Sequence, residues 1–291
     1  MSNSKTEGRA EMKRDDHSDE MPQTAQARFS SLATSLIDDA IAHAGRVSAD
    51  PDAEGLHKLR VALRRLRTLL WAYRPLLDRE FDEKQRALLK FLAGAAGKTR
   101  DWDILIELLR ELRGNERTPL DELRKARSKA MEASRETLKQ AGIKPALRDV
   151  FKEVSTELNT AHERPTLATF ARRRVAAAQK TFAKRVRRAE CAKRSDYASF
   201  HDVRKAGKKV RYLLEFFEPS LPKKQVKGVR KLKKIQKRFG ELNDVVASEN
   251  LFKTNLDTFF DRPCAERGLA ALEKERVRRL KEAAKLLKHA A

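Results

Sequence analysis

HKLRVALRRLRTLLWAYRP, residues 57–75, returns in altered form as HDVRKAGKKVRYLLEFFEP, residues 201–219. At this offset of 144, His57 falls on His201, Arg60 on Arg204, and Arg64-Arg65 on Lys208-Lys209. Leu66 falls on Val210, Arg67 on Arg211, Leu69-Leu70 on Leu213-Leu214, Tyr73 on Phe217 and Pro75 on Pro219. The agreement continues at an offset of 143, where Leu92 meets Ile235, Gly97 meets Gly240 and Arg100-Asp101 meets Asn243-Asp244. A single-residue gap over such a span is what one altered loop leaves. The chain reads as two copies of one helical unit, four helices in each.

Each copy sorts its residues by the 100° turn of an α-helix. With His57 as origin, Arg60, Arg64 and Arg67 lie within about 80° of it. Leu59, Leu63, Leu66, Leu69, Leu70 and Tyr73 gather on the opposite side. His201, Arg204, Lys208 and Arg211 repeat the cationic stripe, with Lys205 beside it, backed by Val203, Val210, Leu213, Leu214 and Phe217. The next helix of the second copy has a third row, Lys227, Arg230, Lys234 and Lys237, against Leu232, Ile235 and Phe239. An ordinary amphipathic helix also turns charges to water, and that reading is available for each helix alone. A solvated face, however, usually mixes signs, because like charges at i,i+4 cost about 0.2–0.5 kcal/mol and opposite ones return as much. Two copies of a one-sign stripe favour a bound polyanion that offsets the repulsion.

The whole composition agrees. Of 291 residues, 65 are Lys or Arg and 42 Asp or Glu, a formal charge of +23. The 40% apolar share is enough for a core, and the low Gly and Pro counts (11 and 9) favour helices over turn-rich β structure. The length suggests roughly two domains of about 150 residues. Residues 1–28 carry five basic and six acidic side chains, so the excess charge belongs to the remainder, and this polar segment reads as a disordered tail. It has no apolar run to serve as a secretory signal, and no stretch of the chain is apolar enough to span a membrane. Cys191 and Cys264 stand far apart, against a disulfide framework and a thiolate metal site. These features together predict a soluble, cytoplasmic protein.

Helical periodicity then predicts an all-α fold. The expected helices are 29–43 stopping at Gly45, one after Ser48 with Asp50 as N-cap and ending before Pro75, 82–96 stopped by Gly97, and 101–112 ending at Gly114. Helices 118–141 and 145–161 follow, parted by Gly142, and Thr166 caps a helix to residue 190. The second copy supplies 196–218, 221–239 and 244–260, before a last helix over 264–289. The first repeat then spans 29–114, the connecting helices 115–165 and the second repeat 166–291.

The two matched histidines suit either a structural hydrogen bond or phosphate contact. A ring among cations resists protonation until an anion arrives. Neither belongs to an HxxxH or HExxH pair or to a Cys/His cluster, so no metal site and no cofactor is expected. Asp101 and Asp244 each open an expected helix, where a carboxylate either caps the N-terminus or neutralises a stripe cation. Gly207 replaces Leu63 inside the second copy's helix, costing about 1 kcal/mol of propensity and allowing close helix approach.

His57-x-x-Arg60-x-x-x-Arg64-Arg65-Leu66-Arg67 with Gly97-x-x-Arg100-Asp101-x-Asp103 is one half of a double motif. The other is His201-x-x-Arg204-x-x-x-Lys208-Lys209-x-Arg211-Tyr212-x-x-Glu215 with Gly240-x-x-Asn243-Asp244. Together they resemble the CHAD domain, the conserved histidine α-helical domain, over residues 29–291. The resemblance implies two pseudo-symmetric four-helix bundles packed around a basic central groove or pore. It also implies binding of inorganic polyphosphate and association with polyphosphate granules and their proteins. By position the ligand would fall to His57, Arg60, Arg64, Arg65 and Arg67, and to His201, Arg204, Lys208, Lys209 and Arg211. Many members also carry a CYTH triphosphatase domain with an ExExK signature, which is missing from this sequence, so binding without catalysis is expected. Two other readings remain. One is a basic nucleic-acid module, disfavoured by 6% aromatic content and by Phe91, Phe182, Phe216 and Phe217 lying in apolar patterns. The other is a metal-dependent phosphohydrolase built on the His and Asp residues.

Overall fold

The two copies of the motif fold as matched helices. The computed structural model of the chain describes residues 23–49, 53–114, 119–192, 196–226, 229–259 and 261–288. Among these, eleven α-helices occur and no strand beyond an isolated bridge between Thr24 and Thr166, so the protein is all-α. They are α1 (Ala25–Ala49), α2 (Ala53–Tyr73), α3 (Arg79–Ala95), α4 (Lys98–Arg113), α5 (Leu120–Gln140) and α6 (Ile143–Thr160). The chain continues with α7 (Leu167–Cys191), α8 (Tyr197–Phe217), the single turn α9 (Lys223–Val226), α10 (Val229–Thr254) and α11 (Arg262–Lys288). Both α2 and α8 end in a short 3₁₀ turn holding Pro75 or Pro219, as a ring that cannot continue a helix requires.

The packing follows the duplication. Helix α1 lies on α2 as α7 lies on α8; α2 lies on α3 as α8 lies on α10; α4 lies on α5 as α10 lies on α11. The halves are joined where α2 meets α8 and α4 meets α10. The apolar faces read from the sequence are the buried ones: Leu59, Leu63, Leu69, Leu70, Tyr73, Val203, Leu213 and Phe217 are all inaccessible to solvent. Each such side chain contributes about 1.5–3 kcal/mol. The largest apolar cluster draws on both repeats. At its centre the Tyr73 ring lies 5.0 Å from Phe29, 4.7 Å from Phe170 and 6.3 Å from its own counterpart Phe217. The Tyr73 hydroxyl donates to the Ala25 carbonyl at 2.8 Å, and burial pushes the phenol above its usual range.

Several expected boundaries change. Helix α1 starts at Ala25, ahead of Phe29, because residues 23–25 are tied to the segment entering α7. Leu167 N–H donates to the Gln23 carbonyl at 2.8 Å and Ala25 N–H to Pro165 at 3.1 Å. The polar tail therefore ends before residue 23, and its remainder lies outside the described residues, as does the expected cap Asp50. Helix α1 also runs through Gly45 to Ala49, where Val47 is buried.

The larger change concerns the two glycines. Gly97 does separate α3 from α4, but α10 passes uninterrupted through Gly240, fusing the expected helices 221–239 and 244–260. Phe239, Leu242 and Val245 around Gly240 are buried, and that burial outweighs a helix-propensity penalty of about 1 kcal/mol. Asp244 therefore sits inside a helix and caps nothing, and Asp101 lies within the first turn of α4, which begins at Lys98. The predicted cap at Thr166 is present, and Asp196, expected only as the start of a helix, caps α8 as well: each side chain accepts from the backbone N–H three residues on.

Gly207 marks a close approach of α8 to its neighbours. A Cβ there would meet Leu232 and Phe182 at 3.3 Å, and Gln236 of α10 donates to the Gly207 carbonyl at 2.8 Å.

Candidate functional site

Where α2 meets α8, the cationic stripes of the two repeats reach across to each other. Arg64 Nε donates to the Tyr212 hydroxyl at 3.1 Å, and the guanidinium stands 5.9 Å from that ring's centre. Arg211 covers the same ring at 4.9 Å. Arg65 lies 5.8 Å from the Phe216 ring and 3.9 Å from the Glu215 carboxylate, which Arg211 also approaches at 3.3 Å. Lys209 lies 4.4 Å over Trp71. The rings of Trp71 and Tyr212 thus do lie under basic residues, while Phe216 belongs to the apolar core as its pattern predicts and has Arg65 beside it. Phe216 is itself buried.

Lys208 is the centre of this arrangement. Burial, then the charges of Arg64, Arg204 and Arg60, push its ammonium down to about 6, with Asp244 opposing. Two of those arginines come from α2 and one from α8, so cations 140 or more residues apart in the chain act on one half-buried lysine. Arg204 is itself lowered by burial and by Arg64 and Arg60, and its Nε is buried without a hydrogen-bond partner. Arg67 is lowered by burial and by Arg64 and Arg86. Burial raises the Asp244 carboxyl against the pull of Arg204, Lys208 and Arg100, so one acid serves several cations.

The histidines stand at the α4/α10 end of this track, in unlike settings. Arg60 donates from Nη1 to the Gly97 carbonyl at 3.2 Å and pairs with Asp101 at 3.0 Å. Its guanidinium occupies the space a Cβ on Gly97 would need, with contacts down to 2.9 Å. His57 is held below its usual pKa by burial first and Arg100 next, and its Nδ1 is buried with no hydrogen-bond partner. His201 Nδ1 lies 3.1 Å from Asn243 Oδ1 and 3.2 Å from the Tyr197 hydroxyl, which donates to the same Asn243 oxygen at 3.0 Å. Asn243 Oδ1 only accepts, so this pattern puts the ring proton on Nδ1 and leaves Nε2 for another contact. Burial and Lys205 lower the His201 pKa as well.

Not every stripe residue joins the track. Lys205 is exposed and pairs with Asp202 at 2.9 Å. Lys234 and Lys237 lie on the exposed side of α10, with no ion pair or hydrogen bond to the cations of α2 and α8. The side chain of Arg230 and all of Lys227 lie outside the described residues. Conversely, Arg100, Tyr197 and Asn243 belong to the histidine corners without having been assigned there. The first and last were visible as a matched pair, but their role depends on α4 and α10 folding back onto the starts of α2 and α8. Among the described residues no three His, Cys, Asp or Glu side chains gather as a metal site would require. None of the described helices is long and apolar enough to cross a membrane.

Solved structures share this architecture. The crystal structure of the CHAD domain from the plant Ricinus communis superposes with a TM-score of 0.75 at 24% identity, covering 92% of each chain. PptA from Streptomyces chartreusis superposes at 0.65 with 17% identity, over 92% of this chain and 99% of its own. No curated protein sequence matches the chain. The CHAD domain model matches residues 31–253, a span that holds both histidine motifs, Gly97 and Gly240, and the chain belongs to the CHAD domain family.

Proposed function

We propose that the protein binds inorganic polyphosphate along the track between α2 and α8 and does not hydrolyse it. The observation that carries this reading is the meeting of the two stripes, where Arg64 of α2 donates to the Tyr212 hydroxyl of α8, Arg211 covers the same ring, and Arg60, Arg64 and Arg204 act together on half-buried Lys208. Gathering like charges out of water is unfavourable on its own, and a linear polyanion reverses the sign of that energy. Polyphosphate carries about one charge per phosphate in a row. Arginine meets it with paired N–H donors and lysine with a point charge, both as charge-assisted hydrogen bonds. His57 and His201 enter neutral, and each is positioned to take a proton or donate a hydrogen bond once an anion is present. Attachment to polyphosphate granules would follow from the same affinity.

Titration with polyphosphates of defined length at two salt concentrations tests the reading. Affinity is expected to fall steeply with salt through counterion release. Arg60→Glu and Arg204→Glu are each expected to weaken binding at least tenfold, the loss of about 1.5–3 kcal/mol per charged hydrogen bond. Parent-like affinity in both variants at physiological salt would remove the track as the site. Duplex DNA or RNA displacing polyphosphate at equal phosphate concentration would favour a nucleic-acid module instead. Phosphate release on adding Mg²⁺ or Mn²⁺, abolished by Asp101→Asn, would show a hydrolase.

A further inference from the structure

Fourteen residues beyond His57, about 21 Å along α2, the track reaches a group of cations of which only Lys209 belongs to the repeated motif. The indole of Trp71 is approached by Lys209 Nζ at 4.4 Å, by the guanidinium carbon of Arg174 at 4.8 Å and by that of Arg74 at 5.6 Å. These come from α8, α7 and the turn after α2. Arg174 is fastened in place: its Nη2 donates to the Trp71 carbonyl at 2.9 Å, while its Nε is buried without a partner. The charges acting most on Lys209 are Arg74, Arg86, Arg67 and Lys205, all positive. Among the described residues no ion pair involves Lys209, Arg174, Arg74 or Arg67, and Arg86 is held by Asp82 at 2.8 Å.

The matched place in the other half shows what a closed version looks like. There Arg65, the counterpart of Lys209, faces Glu215, the counterpart of Trp71, and the carboxylate neutralises it. One aromatic face attracts a cation by about 0.5–2 kcal/mol, which explains one occupant but not three that repel each other.

We propose that Trp71 with Lys209, Arg174 and Arg74 forms a second phosphate subsite, and that a polyphosphate long enough to span the track occupies it together with the histidine corners. This rests on the polyphosphate reading and adds a length requirement to it. Tripolyphosphate is too short to reach both places. A long chain gains from both, as two linked contacts do.

The test is calorimetric titration of the full chain with long polyphosphate and with tripolyphosphate, each at two salt concentrations. Variants are Arg74→Gln, Arg174→Gln and Lys281→Gln, the last removing an exposed charge on α11. The Arg74 side chain is exposed and makes no hydrogen bond, so its variant folds even if Arg174→Gln does not. Expected for Arg74→Gln and Arg174→Gln are a three- to tenfold loss for the long polymer, a salt slope lower by about one, and tripolyphosphate stoichiometry falling from two to one. Lys281→Gln should stay within twofold of the parent. On adding long polymer the tryptophan emission should change, and Trp71→Phe should remove that change. Long-polymer affinity and slope unaltered in Arg74→Gln, or an equal loss in Lys281→Gln, would overturn the subsite while leaving polyphosphate binding intact. A parent that binds no polyphosphate would overturn the function itself.

Discussion

The two histidine corners share one sequence pattern and differ in how completely they are satisfied. In the second repeat, Tyr197 and Asn243 hold His201, Asp244 lies inside an unbroken α10, and Gly240 has nothing within 4 Å of where a Cβ would sit. In the first, Arg100 replaces Asn243, His57 Nδ1 has no partner, and the chain breaks at Gly97 to let Arg60 lie against the backbone. The second corner is a braced wall. The first lacks that bracing, with a cation where its twin has a hydrogen-bond acceptor. The two copies share one scaffold, and a few substitutions leave the His201 corner braced by Tyr197 and Asn243 and the His57 Nδ1 without a partner.

The comparison can be broken most forcefully at the carboxylates. Asp244→Asn leaves Arg204 and Lys208 without the acid that acts on both, and a loss of stability larger than that of Asp101→Asn is expected, seen as a lower midpoint in urea unfolding. Asp101→Asn removes a pair whose side chains are 33% and 43% exposed, and about 0.2–1 kcal/mol is expected. Equal losses would mean that the two corners are equivalent.

Lys208 provides the next test. Its pKa of about 6 in the folded protein lies below the usual 10.5, so the unfolded chain binds the extra proton between those values and stability rises with pH across that window. A polyanion favours the charged ammonium, so binding near pH 7.5 should take up a proton. The measurement is binding enthalpy in two buffers of different ionisation enthalpy. Affinity should fall by up to about tenfold per pH unit as pH rises above 6, and Lys208→Met should abolish the uptake. A buffer-independent enthalpy in the parent would contradict the enclosed setting of Lys208.

Smaller effects separate the glycines. Gly240→Ala should stabilise by about 0.5–1 kcal/mol, as a helix interior with open space allows. Gly97→Ala should instead push the Arg60 guanidinium off the Gly97 carbonyl, with a net loss of about 0.5–1.5 kcal/mol for that hydrogen bond and weaker polyphosphate binding. The smallest effect is in the histidines. Arg100→Gln should raise the His57 pKa, followed by NMR titration, and leave His201 unmoved. Both rings are lowered, so the stability they contribute is complete above pH 6.5 and is lost as pH falls below it.

Periodicity, a property of neighbours along the chain, determined much before any coordinates. Leucines at i, i+3 and i+4 opposite arginines at the same spacing require an amphipathic helix, and their recurrence 144 residues later requires a second one of the same kind. The all-α class, the duplication, the buried faces and most cations of the track are legible in this way. Local punctuation is weaker evidence. Gly45 and Gly240 look like stops, yet the burial of Val47 and of Phe239 and Leu242 carries both helices through them, because packing energies exceed a glycine's propensity penalty.

Only the tertiary structure decided which charges share a space. Arg174 belongs to no stripe and sits in the sequence among ordinary arginines of α7, yet the fold places it over Trp71 beside Lys209. Arg100 acts on both His57 and Asp244 because α4 lies on both α2 and α10. Charge interactions depend on distance and burial through space, and neither quantity is written in the order of residues along a chain.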